Sequence, residues 1–112
     1  MTNITVFKKG QEYTRIICQG HTGYGVSGED IVCAALSSIV QTGALGMLMV
    51  AYANVQVIRK DDEAYLEIVV PADLSDEQNH DVQVIFKTMM CGISDLHSEY
   101  SDFIDMEVRD VY

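Results

Sequence analysis

Apolar residues alternate with polar ones near both ends of the chain and recur at helical spacing in two long stretches between. Over residues 3–8, Ile4 and Val6 fall on one face, the period of a strand. Residues 13–19 read as a second strand, with Ile16 and Cys18 on one side and Arg15, Ile17 and Gln19 on the other. The polar turn at residues 9–12 makes the pair a hairpin. Residues 30–49 read as a long helix, with Glu29 and Asp30 where acids favour a helix start. Gly43 and Gly46 lie inside it; each weakens a helix but permits close approach of another element. Residues 55–59 and 65–70 form a second pair of strands about a polar turn, ended by Pro71. Ser75 and Gln78 have capping-box spacing, since the serine oxygen can accept from the backbone N–H three residues on while Gln78 reaches back. The helix they start runs to about Leu96, with Val82, Ile85, Met89, Ile93 and Leu96 on its buried face. A last strand spans residues 103–108.

The element order is ββαββαβ. Because hairpins dominate, the fold class is α+β, a mainly antiparallel sheet with two helices packed against it. The 112 residues form a single domain, 1–112, with no linker dividing them. A domain of this size buries only about two-thirds of its unfolded surface. A second chain covering an apolar helix face would therefore help it. Residues 31–51 are long and apolar enough to suggest a bilayer span, but Ser37, Ser38, Gln41 and Thr42 interrupt them and no basic flank is present. The expectation is a buried central helix and no membrane.

Charge narrows the partners. Seven Lys and Arg face seventeen Asp and Glu, a net charge of -10. Phosphate backbones would be repelled, so direct nucleic-acid binding is not expected, whereas a basic peptide or protein would be steered in. The three cysteines, Cys18, Cys33 and Cys91, include no CxxC, and the first residues form no apolar leader. Free thiols in a reducing, cytoplasmic setting are the expectation.

The chemistry concentrates between Gly20 and Ser37. Gly20, Gly23, Gly25 and Gly28 punctuate a loop that also carries His21, Thr22, Tyr24, Val26 and Ser27. Cys33 follows in the first or second turn of the long helix, where backbone N–H groups and the helix dipole favour a thiolate. A pliant loop can bring the His21 imidazole to that sulfur, the minimal nucleophile and base for acyl transfer. Asp30 is placed to orient His21, and Ser37, one turn beyond Cys33, could donate a hydrogen bond. The bland reading is a packed core cysteine, a strand-ending histidine, a helix-start acid and a serine bonded to its own helix. Other readings carry less. Gly23–Gly28 matches G-x-G-x-x-G, but Glu29 and Asp30 would oppose a pyrophosphate and no acid follows at the ribose distance. Cys18, His21 and Cys33 lack a fourth ligand for structural zinc, since His80, Cys91 and His97 belong to a distant helix. No metal and no cofactor are expected. A non-enzymatic dimeric assembly module is the alternative from a different class.

Gly20-His21, then a glycine-bearing loop, then Gly28-Glu29-Asp30-Ile31-Val32-Cys33-Ala34-Ala35 with Ser37 beyond closely resembles the signature of the Prp cysteine proteases. The chain departs from that pattern at Thr22, where the family commonly has a small residue such as alanine. The resemblance implies a homodimeric endopeptidase that removes the N-terminal extension of the large-subunit ribosomal protein numbered twenty-seven, cutting after aromatic residues during ribosome assembly. It implies His21 and Cys33 as the catalytic pair, Asp30 and Ser37 as supporting residues, and the loop of Gly20, Thr22, Gly23, Tyr24, Gly25, Val26, Ser27 and Gly28 as a cover over the site.

Overall fold

The computed structural model describes residues 1–20 and 29–111, without the side chains of Glu29 and Asp30. Five strands, β1 (Thr2–Lys9), β2 (Glu12–Gln19), β3 (Gln56–Lys60), β4 (Tyr65–Val69) and β5 (Ile104–Asp110), alternate with α1 (Glu29–Met49) and α2 (Asp76–Glu99) in the expected order. They form one sheet in the order β3-β4-β2-β1-β5. Both hairpins are antiparallel, as is the β2–β4 pairing, while β5 returns parallel to β1 at the far edge. The sheet is thus mixed, and mainly antiparallel as expected.

Strand parity decides which side of the sheet the helices cover. Ile4, Val6, Ile16, Cys18, Leu66, Ile68 and Ile104 lie on one face and are buried there by both helices. From α1 come Val32, Leu36, Val40, Ala44 and Met47; from α2 come Val82, Phe86, Met89, Met90 and Ile93. On α2 Val82, Met89 and Ile93 are buried as expected, but the buried surface is wider than that stripe. Phe86 and Met90 enter the core, where Phe86 stacks on Tyr13 with ring centres 4.8 Å apart. Ile85 and Leu96 are only partly buried. The reason is that α2 contacts two neighbours at once, the sheet and α1, so its apolar surface is wider than one stripe. Gln83, also buried, accepts from the Tyr13 N–H at 2.7 Å and donates to the Tyr13 carbonyl at 2.9 Å. It acts as a short stretch of neighbouring strand and pins α2 to β2. The capping box at Ser75 and Gln78 is formed.

The glycines of α1 serve contact within the chain. A methyl group at Gly43 would overlap the Met89 sulfur, and one at Gly46 would press on Ile85 at 3.3 Å. The two helices meet here. Only one side of α1 is sealed, however. Ile31, Ala34, Ser38, Thr42, Leu45 and Met49 follow one another by three or four residues along the exposed side, with Ile31 68% and Met49 67% exposed. The expected buried central helix is therefore half-buried: its second face is uncharged and open. Cys91 is exposed on α2.

Cys18 sits under α1 at 6% exposure, and burial pushes its thiol from 9.0 up to about 12. The thiolate is the disfavoured form in the fold, so the unfolded chain loses this proton first. The resulting stability is intact below about pH 9 and is lost as pH rises toward 12. Between pH 8 and pH 10 the wild type should lose about 1 kcal/mol more unfolding free energy than Cys18→Ala. Urea unfolding under reducing conditions measures this. Equal losses in the two proteins would contradict it.

Candidate active site

The site is built where β2 ends, because three elements converge there. Gly20 follows β2 with φ +95°, a conformation that L side chains rarely adopt. A side chain at Gly20 would also run into the Met1 carbonyl at 2.9 Å. Its N–H donates to the Ala64 carbonyl at 3.1 Å, and its own carbonyl accepts from the Thr2 hydroxyl at 3.1 Å. The chain therefore leaves the sheet for residue 21 from a root held at both backbone groups. Ala64 closes the one-turn helix Asp61–Glu63 in the left-handed region, φ 48°, and brings the tip of the β3–β4 hairpin to Gly20.

Cys33 occupies the second turn of α1, as its distance from Glu29 requires. Its sulfur lies 3.3 Å from the Thr2 oxygen. It is partly exposed on the wall of a cleft of about 350 Å³, near the lower end of the range for ligand pockets. Leu36, Val40, Leu66 and Cys18 give this cleft an apolar floor, while Arg59 and Asp61 stand at its polar side. Two thiols line it, and their surroundings separate their chemistry. Cys18 is held neutral by burial, whereas Cys33 is partly exposed beside a hydroxyl.

Ser37 lines the same cleft one turn beyond Cys33. Its oxygen accepts from Gln41 Nε2 at 2.6 Å, and Gln41 Oε1 accepts from Arg59 Nη1 at 3.2 Å. Arginine has only donors, so the Gln41 amide can point one way only. Ser37 is then an acceptor toward Gln41, and its own hydrogen is directed elsewhere. Arg59 is anchored in turn by Asp61.

The structure thus brings Cys33, Ser37 and Gly20 to one cleft. His21 and the loop residues Thr22, Gly23, Tyr24, Gly25, Val26, Ser27 and Gly28 lie outside the described residues, as does the side chain of Asp30. Sequence reasoning missed Thr2, Gln41 and Arg59. Thr2 was recoverable in principle, since the pairing of Ile4 with Cys18 carries Thr2 to the level of Gly20. Gln41 and Arg59 meet only through tertiary packing, which no local pattern signals. Among the described residues no three His, Cys, Asp or Glu side chains gather to hold a metal ion.

Comparison with known proteins agrees with this architecture. The ribosomal processing cysteine protease Prp of Staphylococcus aureus (strain NCTC 8325) is 25% identical over 107 residues, 96% of each chain. Crystal structures of the S. aureus protease with a substrate peptide (TM-score 0.85, 21% identity, 97% of this chain and all of that one) and of SMU.848 from Streptococcus mutans (TM-score 0.87, 23% identity, 99% and 96%) share the fold. A further S. aureus structure, with a covalently linked product peptide, matches at TM-score 0.81, 22% identity and the same coverage as the substrate complex. The family profile described as cysteine protease Prp matches residues 1–105. The chain belongs to the cysteine protease Prp family.

Proposed function

We propose that this cysteine protease is a cytoplasmic endopeptidase that removes the N-terminal extension of the large-subunit ribosomal protein numbered twenty-seven, cutting after aromatic residues. The observation that carries this reading is a partly exposed thiol, Cys33, on an apolar-floored cleft, linked through Thr2 to Gly20. Gly20 is followed directly by His21, the proposed base. The apolar floor suits an aromatic substrate side chain. The net charge of -10 favours a basic chain. The S. aureus relative is named as ribosomal processing, and its crystal structures hold a substrate peptide and a covalently linked product peptide.

In this mechanism His21 takes the Cys33 proton and the thiolate attacks the scissile carbonyl. Backbone N–H groups in the first turn of α1 are available to the oxyanion. Asp30 orients the imidazolium, and Ser37 supplies a hydrogen bond to the substrate. His21 then gives its proton to the leaving amine, and water releases the acyl-enzyme. The loop of residues 22–28, with its glycines, covers the cleft when peptide binds. The open, uncharged face of α1 is where a second copy docks, and burying Ile31, Leu45 and Met49 offsets the limited core of so small a domain.

Incubation with a synthetic peptide spanning the substrate's extended N-terminus, read by mass spectrometry, tests the chemistry. Wild type should release the extension. Cys33→Ala and His21→Ala should each lose at least about 100-fold in rate with unchanged circular dichroism. Undiminished cleavage by Cys33→Ala would refute the mechanism. Analytical ultracentrifugation tests the assembly: wild type should sediment as a dimer and Leu45→Glu as a folded monomer. A monomeric wild type, or a dimer indifferent to Leu45→Glu, would place the interface elsewhere or nowhere.

A further inference from the structure

Thr2 is 4% exposed, and its hydroxyl stands between two groups of different character. On one side is the Gly20 carbonyl at 3.1 Å; on the other is the Cys33 sulfur at 3.3 Å. A hydroxyl has one hydrogen and a carbonyl can only accept. While Cys33 is protonated, the Thr2 hydrogen therefore goes to Gly20, and the thiol hydrogen can go to the Thr2 oxygen. Loss of the thiol proton changes the arrangement. The sulfur then has nothing to donate, and as an anion it is a stronger acceptor than a neutral carbonyl. The Thr2 hydrogen turns to the sulfur and leaves the Gly20 carbonyl.

We propose that Thr2 is a positioning residue for the nucleophile: its hydroxyl stabilises the ionised Cys33 and passes that change to the Gly20 carbonyl, at the root of the segment carrying His21. This inference rests on the reading of Cys33 as nucleophile. The strand alone does not require this hydroxyl. A β-branched residue suits the position, and the β1 pairing to β5 uses the Thr2 backbone, whose N–H donates to Phe103. Valine would keep the strand and the shape while removing both hydroxyl contacts, to the Gly20 carbonyl and to the Cys33 sulfur. Among the described titratable residues, Cys18, Arg59, Asp61 and Tyr65 line the same cleft, and the substitution leaves all four in place.

The test measures alkylation of Cys33 by iodoacetamide against pH, in a Cys91→Ser background, with labelled peptides identified by mass spectrometry. The half-plateau point should rise by about one pH unit in Thr2→Val and stay within a few tenths in Thr2→Ser. The acidic limb of kcat/KM for peptide cleavage should move with it. Thr2→Ala, which also removes the hydroxyl, is the second variant should valine not be accommodated. Curves superimposable on the parent in the hydroxyl-free variants would overturn the role of Thr2 while leaving Cys33 as nucleophile. In the protein that retains Cys91, a Cys33 that alkylates no faster than that exposed thiol would instead refute the nucleophile assignment, and the role of Thr2 with it.

Discussion

While Cys33 is protonated, Gly20 is held at both its backbone groups, and the shape of the cleft depends on that. One bond ties it to the hairpin tip at Ala64 and the other to the first residue of β1. These contacts make the end of β2 a fixed point, although a glycine-rich segment follows directly. A φ of +95° and the nearness of the Met1 carbonyl both demand glycine there.

The second requirement is a helix that cannot slide. The apolar side of α1, from Val32 to Met47, closes over the sheet and sets Cys33 at the height of Thr2 and Gly20. Close approach to α2 at Gly43 and Gly46 fixes the helix laterally. An alanine at Gly43 would gain roughly 1 kcal/mol of helix propensity but cost about 1–3 kcal/mol by overpacking against Met89, so glycine is favoured there despite its weakness in helices. The residues that enforce this geometry are ordinary core residues some distance from the sulfur. Precision at the thiol is thus a product of packing, and the open side of α1 is what that packing leaves over.

Much of this was legible in the chain. Period-two alternation in β1, β2 and β5, the capping box at Ser75 and the apolar run after Asp30 were enough for the element order. The Gly20-His21 and Asp30–Ser37 signature was enough for the family. What failed to show was relational. Nothing in a terminal strand says which edge it joins, so the parallel β1–β5 pair was not foreseen. The α2 stripe was read only in part: Val82, Met89 and Ile93 are buried as expected, but a helix lodged between a sheet and another helix buries two faces, and a single three-four repeat captured one of them. Thr2 carried no signal of its own, and became part of the site only through the register that sets it beside Gly20.

The central proposal is that His21 acts as the base for the Cys33 thiol. The ultraviolet thiolate absorbance of the purified protein, titrated with and without His21→Ala, tests this directly. The account predicts a step that Cys33→Ser abolishes and that lies at lower pH in wild type than in His21→Ala. A step at the same pH in both proteins would contradict it.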